Sequence, residues 1–186
     1  MLDLLSGKTV SDEGEIRFEG EDIFKKNGFF RNLGILSDQP RFFEDLSLWQ
    51  NLSFGLRVKK NVRESFLIQL LDHFKILAFK DLKMSRLSYG TRKKVGLVKA
   101  VMHRPQLLIL DEPYSGLDEF SVAALNSFLF SFSKHSTIIM TSHNLMEIRK
   151  IADRLIILEN GFLSNVMSNH KKKLPDQLSA KEILQF

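Results

Sequence analysis

The sequence contains no cysteine. That excludes disulfides, thiolate metal sites and cysteine nucleophiles, and it fits a reducing compartment without requiring one. No stretch reaches the roughly 18 consecutive apolar residues that a membrane-spanning helix needs, so any membrane role has to come through a partner. The opening Met1-Leu2-Asp3-Leu4-Leu5-Ser6 has neither a basic leader nor a long apolar run, so no secretory signal is expected there. Internal repeats and low-complexity linkers are also lacking. Tryptophan and tyrosine are scarce, with one and two residues against sixteen phenylalanines, which predicts a core filled heavily by phenylalanine. The charge excess is small: +5 over 186 residues. A solvated surface and the run Lys171-Lys172-Lys173 account for it. Binding to nucleic acid or to an acidic membrane surface is the sharper alternative.

A hydrophobic fraction of 44% is ample for a core, and the length fits one good-sized domain or two small ones. The pattern predicts an α/β sheet layer interrupted by a helical insertion. Met1 to Leu5 reads as the tail of a helix capped by Ser6-Gly7. Glu15 to Gly20 alternates polar and apolar, as a half-buried strand ending at a glycine turn does. Leu33 to Leu36 reads as a short buried strand running into the loop Ser37-Asp38-Gln39-Pro40. Ser47-Leu48-Trp49-Gln50 is a capping box opening a helix through Leu56. A second helix is expected over Glu64 to Leu77, with its apolar stripe at Phe66, Leu67, Leu70, Leu71 and Phe74. A third is expected over Thr91 to Met102. Strands at Leu107–Leu110, Thr137–Met140 and Leu155–Leu158 then alternate with helices at Phe120–Phe132 and Leu145–Ile151, the latter begun by Asn144 and Glu147. A turn at Gly161 leads to a weak strand through Val166. The basic stretch Asn169 to Lys173 reads as an exposed connection, and Ser179 and Glu182 cap a last short helix.

The most informative stretch is Leu107-Leu108-Ile109-Leu110-Asp111-Glu112-Pro113. A bounded apolar run of this length suits a strand buried in a parallel sheet, and open α/β sheets bind ligands outside the carboxyl ends of their strands. Two adjacent carboxylates there need something to offset their repulsion, and a metal ion is the usual partner. Asp111 is thus a candidate holder of Mg²⁺, and Glu112 a candidate general base polarising a water. Leu87-Ser88-Tyr89-Gly90 stands at the entry to a helix, where free N–H groups and the helix dipole suit a phosphate. Ile138-Ile139-Met140-Thr141-Ser142-His143 ends a second buried strand with His143 within reach of a phosphate. Each block alone has an ordinary reading, as a helix cap, an acidic turn or a structural histidine. Their order and spacing together do not.

At this point the chain resembles the nucleotide-binding domain of ABC transporters, over roughly Leu4 to Val166. Leu87-Ser88-Tyr89-Gly90-Thr91 resembles the family's signature sequence, Leu107 to Glu112 its Walker B strand, Ser115-Gly116-Leu117-Asp118 its D-loop, and His143 its switch histidine. Asp153 to Gly161 follows the family's usual continuation. The resemblance implies a P-loop NTPase-like (RecA-like) α/β layer over 1–39 and 103–168, N-terminally incomplete, a helical subdomain over 40–102 and a C-terminal extension over 169–186. It implies ATP and Mg²⁺ as ligands, with two such domains sandwiching two ATP molecules. Ser88 and Gly90 would contact the γ-phosphate of an ATP held by a partner subunit. Asp111 would coordinate Mg²⁺, Glu112 activate water, His143 orient the γ-phosphate and Asp118 communicate across the dimer. The partners implied are a second ABC ATPase subunit and a membrane permease, with membrane contact only through the permease, no direct nucleic acid, and a peripheral place on the cytoplasmic face of the membrane.

The family's P-loop is missing. Gly7-Lys8-Thr9 does not supply it, because the first glycine of G-x-x-x-x-G-K-[ST] would fall on Leu2 and no helix is expected after Lys8-Thr9. Leu4 to Gly7 and Gly14 to Ile16 match instead the segment that follows the P-loop helix. The family's Q-loop glutamine falls on Asp38, or on Gln39 with a shift of one residue. The second signature glycine is Tyr89, and its glutamine is Thr91. Because phosphoryl transfer depends on positioning and charge stabilisation, the polypeptide by itself is expected not to bind Mg-ATP usefully. Three readings follow: an ATP-hydrolysing transporter subunit, a degenerate non-hydrolysing module that binds a partner subunit, or a soluble ABC-type protein acting on nucleic acid or ribosomes. The Gln39-Pro40 segment resembles the haem-exporter branch, and Thr141 to Leu145 resembles drug or ion exporters.

Overall fold

A computed structural model describes residues 2–58 and 62–168. The connection expected at 169–173 and the helix expected near Ser179 lie outside the described residues. The elements run α1 (Leu2–Leu5), β1 (Arg17–Phe18), β2 (Glu21–Asp22), β3 (Leu33–Leu36), α2 (Leu48–Val58), α3 (Glu64–His73), α4 (Tyr89–Val101), β4 (Leu107–Asp111), α5 (Glu119–Phe132), β5 (Thr137–Thr141), α6 (Leu145–Ile151), β6 (Arg154–Glu159) and β7 (Phe162–Ser168).

The centre is a parallel sheet in the order β3-β4-β5, an α/β arrangement as the sequence predicts. Its central strand β4 is a short apolar run because both of its faces are covered. On β4, Leu108 and Leu110 point into a large cluster with Leu36, Leu67, Leu71, Val95, Val98 and Leu125. Leu107 and Ile109 point the other way, into a smaller cluster with Ile23, Phe29 and Leu33. Burying each such side chain contributes about 1.5–3 kcal/mol.

Helix α4 lies close against β3, and glycines make this possible. A Cβ on Gly34 would sit 2.3 Å from the Ala100 carbonyl oxygen, and one on Gly96 within 2.9 Å of the Leu36 and Pro40 side chains. This approach fixes the N-terminus of α4 relative to the sheet.

The capping box holds in both directions: the Ser47 N–H donates to Gln50 Oε1 at 2.8 Å, and the Gln50 N–H to Ser47 Oγ at 3.1 Å. Helix α3 stops at His73 rather than Leu77. The Ile76 N–H donates to the Leu71 carbonyl and the Lys75 N–H to the Asp72 carbonyl, while Lys75 turns left-handed at φ 56°. That is a Schellman stop with lysine where glycine is usual, held by the contact of two fully buried residues, Ile76 and Leu71. No glycine marks it, so the helical stripe alone overran the end. The strand expected over Glu15 to Gly20 shrinks to Arg17–Phe18, paired with β2 across a Glu19-Gly20 turn with φ of 54° and 82°, the geometry of a two-residue hairpin.

β6 and β7 form a separate antiparallel pair. Among the described residues, no strand pairs with the outer edge of β5. That edge borders an apolar groove of about 600 Å³ lined by Ser136 to Met140, Leu129, Ile151 and Ile156.

Candidate functional site

The carboxyl ends of β4 and β5 build the first cluster. The register places Thr141 directly opposite Asp111. The Thr141 hydroxyl donates to Asp111 Oδ1 at 2.7 Å and accepts from the Glu112 N–H at 3.1 Å. One hydroxyl therefore fixes a carboxylate and the backbone of its neighbour. Glu112 stands at φ 45°, a left-handed conformation uncommon outside glycine and found where the surroundings over-determine it. Its carboxylate accepts from the His143 N–H at 3.3 Å through Oε2, and Oε1 lies 3.2 Å from His143 Nε2. The Glu112 side chain is 21% exposed and that of His143 77%. The pair lines a cavity of about 600 Å³ together with Tyr114, Ser115, Ser142, Asn144 and Met146. Asp111, Glu112 and His143 are thus brought together.

Ser88, Gly90 and Asp118 meet around a second cavity of about 350 Å³, between the N-termini of α4 and α5. Ser88 caps α4: its Oγ accepts from the Thr91 N–H at 3.3 Å and lies 2.9 Å from Thr91 Oγ1. Asp118 caps α5, accepting from the Ser121 N–H at 2.8 Å. That N–H bond, then the Ser121 side chain, holds the Asp118 carboxyl below its ordinary range. Gly90 permits the contact between the two segments, because a Cβ there would lie 2.5 Å from the Gly116 carbonyl oxygen. The Tyr89 ring packs over Gly116, and its hydroxyl lies 3.4 Å from the Asp38 carboxylate and 3.5 Å from Ser115 Oγ.

Asp38 and Gln39 part company. Lys93, 1% exposed, donates to the Asp38 carbonyl at 2.7 Å, to Asp38 Oδ1 at 3.2 Å and to the Asp111 carbonyl at 3.2 Å. Burial pulls the Lys93 ammonium below its ordinary pKa, while Asp38 pushes it back up. Gln39 instead borders a cavity shared with Pro40, Phe42, Tyr89 and Arg92, and its side chain makes no hydrogen bond among the described residues.

Sequence reasoning passed over Lys93, Thr141 and the Tyr114-Asn126-Glu147 network. In sequence Lys93 stands within the run Arg92-Lys93-Lys94, yet it falls four and seven residues before buried Leu97 and Ala100. That phase was the available signal. Tyr114 donates to Asn126 Oδ1 at 2.7 Å, and Asn126 donates to Glu147, which Lys150 also holds. Burial, then the Glu147 charge, pushes the Tyr114 phenol far above its ordinary range. The network ties the segment after Asp111 to α5 and to the helix that follows His143.

Among the described residues, no group of three His, Asp or Glu side chains could cage a metal. Mg²⁺ does not require one, since it keeps several waters and commonly takes one or two carboxylates plus substrate phosphates. With Asp111 Oδ1 engaged by Thr141, the donor chemistry of Asp111 fits a phosphate-borne Mg²⁺.

A family model described as "ABC transporter" matches residues 1–115. A molybdate/tungstate import ATP-binding protein of Archaeoglobus fulgidus is 31% identical over 190 residues, covering all of this chain and 77% of that protein. A bacitracin transport ATP-binding protein of Enterococcus faecalis is 31% identical over 167 residues, covering 86% of this chain and 54% of that one. ABC transporter A family member 11 of Dictyostelium discoideum is 30% identical over 177 residues, but the chain spans only 21% of its length. A solved structure of the ATP-binding subunit of an ABC transporter superposes with a TM-score of 0.80 at 23% identity, covering 90% of this chain and 72% of that one.

Proposed function

The chain belongs to the ABC transporter family, within its ATP-binding domain, and from that premise we propose that it serves a transporter in which ATP hydrolysis drives passage through a membrane permease. The observation that carries this reading is the Asp111–Thr141–Glu112–His143 constellation at the ends of two adjacent parallel strands. Asp111 holds Mg²⁺, whose chemistry is to neutralise phosphate charge. Glu112 accepts the proton of the attacking water from its cavity wall, and His143 orients the γ-phosphate. Ser88 and Gly90 address the ATP of a second ABC ATPase subunit, and Asp118 lies beside them at the subunit contact. Of the two Q-loop candidates, Gln39 is the one free to reach ligand, because Lys93 engages Asp38.

Residues 1–39 and 103–168 form the α/β core in this reading and 40–102 the helical subdomain, with α2 and α3 packed on α4. Among the described residues no helix is long and apolar enough to cross a membrane. In this reading the chain is a peripheral subunit on the cytoplasmic face that meets the bilayer through its permease. The 186-residue polypeptide alone does not bind Mg-ATP usefully. Lys8, the one lysine in a Gly-Lys-Thr setting, is spent on Asp3 at 2.8 Å and opens no helix. A second reading is a non-hydrolysing module that completes a partner's site, and Ser88 and Gly90 bordering one cavity with Asp118 suits it.

Equilibrium dialysis of the purified chain with Mg-ATP tests the first point, and tight binding would overturn it. For the chain isolated with its permease and partner subunit, Glu112→Gln is expected to lower ATP turnover by at least about 10²-fold while nucleotide binding persists. Unchanged turnover in that variant removes Glu112 as the base and leaves the non-hydrolysing module as the reading.

A further inference from the structure

We propose that Asn126 is a positioning residue that sets the distance between Glu112 and His143, by holding the loop after β4 and the start of α6 to one point on α5. The inference rests on the reading of Glu112 as the base and of His143 as the group that orients the γ-phosphate.

An asparagine is unexpected on this part of α5. Val122, Leu125 and Leu129, at helical spacing around it, pack in the large core cluster. A polar group in such a stripe costs free energy unless its hydrogen bonds are made. Asn126 makes them with two other segments of the chain. The ionised Glu147 carboxylate can only accept, so the side-chain amide turns Nδ2 toward it. That leaves Oδ1 for Tyr114, whose phenol donates at 2.7 Å. Lys150 ends the series, donating to the other Glu147 oxygen at 2.6 Å. From Tyr114 through Asn126 the donors point one way, toward the Glu147 charge, and bonds in such a series reinforce one another.

The two ends of the series belong to the two loops that carry the pair. Tyr114 is buried and stands two residues after Glu112. The Ser115 N–H closes a turn on the Glu112 carbonyl at 3.2 Å. The left-handed Glu112 is therefore held from both sides, by Thr141 at its N–H and by Tyr114 beyond it. At the other end, the Glu147 N–H donates to Asn144 Oδ1 at 3.2 Å, and the Asn144 N–H to Ser142 Oγ at 3.0 Å. Those two bonds bracket His143. The ladder between β4 and β5 ends at the Asp111–Thr141 pair, and past it Asn126 takes over the joining of the two loops.

Amide hydrogen exchange of the purified, ¹⁵N-labelled chain, read by NMR, tests the joint. The His143 N–H donates to Glu112 Oε2, so its protection reports the pair. Tyr114→Phe removes one hydroxyl and alters neither Glu112, His143 nor any group of α6. It is expected to speed exchange at His143 on the order of tenfold. A role in stability alone would move only the slow amides of β4, because an exposed loop opens locally. Asn126→Leu removes both bonds and is expected to have at least the same effect on His143, and Tyr114→Phe added to it to have no further effect, since both act through one residue. Exchange at His143 that stays at wild type in Tyr114→Phe overturns the proposal, as does a further acceleration in the double variant; Tyr114→Phe alone decides if Asn126→Leu does not fold. For the chain isolated with its permease and partner subunit, Tyr114→Phe is expected to lower kcat for ATP about tenfold with KM near wild type. Turnover that Glu112→Gln abolishes but Tyr114→Phe leaves at wild type defeats the role of Asn126 alone. Turnover that Glu112→Gln leaves unchanged, or that the wild-type complex lacks, defeats the reading of Glu112 instead, and the exchange rates then decide the geometry by themselves.

Discussion

Gly90→Ala sets two effects of opposite sign against each other. Gly90 is the second residue of α4 and half-buried, and its backbone is not left-handed, so alanine fits the local conformation and its helix propensity gains about 1 kcal/mol. The added Cβ, however, lies 2.5 Å from the Gly116 carbonyl oxygen, well inside the roughly 3.3 Å at which carbon and carbonyl oxygen come into contact. Relief requires the segment Ser115–Asp118 to retreat. That segment is anchored at one end by the Asp118 cap on the Ser121 N–H and by Leu117, which packs on the large core cluster. Overpacking against such an anchored segment costs about 1–3 kcal/mol. With about 2 kcal/mol lost and about 1 gained, a net loss of about 1 kcal/mol is expected, a fall in Tm of about 2–4 °C for a chain of this size. Urea unfolding followed by the fluorescence of Trp49, the single tryptophan, which packs on the large cluster, measures it. Gly20→Ala is the comparison: nothing lies within 4 Å of its Cβ, but φ is 82°, so its cost of about 1–2 kcal/mol is conformational alone. A Gly90→Ala protein that gains about 1 kcal/mol would refute the close approach of the two segments, and with it the shared cavity of Ser88, Gly90 and Asp118.

Leu108→Ala empties a fully buried position at the centre of β4 and is expected to cost about 2–5 kcal/mol in urea unfolding; a loss under about 1 kcal/mol would contradict the packing of that face. Thr141→Val removes the hydroxyl that serves both Asp111 and the Glu112 N–H, and leaving that N–H unpaired is expected to cost about 1–3 kcal/mol by the same measurement. The Lys150 hydrogen bond, then that from Asn126, holds the Glu147 carboxyl below its ordinary pKa of 4.5. A depressed carboxyl binds its proton more readily unfolded than folded, so its stabilisation is complete above about pH 4.5 and is lost as pH falls through the lower folded value. Glu147→Gln should flatten the acid limb of the stability profile below that pH, and an unaltered limb would show that the pair contributes nothing.

Local pattern carried the layout well where the signal was itself local. The capping box at Ser47, the Asn144 cap of α6 and the apolar run of β4 each depend on residues within a turn or a strand of one another, and each lies where the sequence places it. The overrun of α3 shows the limit. Its stop depends on Ile76 reaching Leu71 in a buried contact, and the hydrophobic stripe that announces the helix continues through the same residues that end it. Glu15 to Gly20 shows the converse: the alternation is real, but β1 and β2 pair with each other over only two residues each.

The candidate site divides along the same line. Sequence alone determined that Asp111 and Glu112 end a buried strand, that Ser88 opens a helix and that His143 follows a second strand, because side-chain periodicity and caps report the chain's own conformation. Only the tertiary structure decided that Thr141 stands opposite Asp111, that Gly90 faces Gly116 and that Lys93 is buried beneath the Asp38 loop. Those facts join residues up to 55 positions apart. Periodicity tells which face of an element is covered. The choice of the group that covers it is made by sheet register and by the close approach of α4 to β3, and neither is written in any single segment.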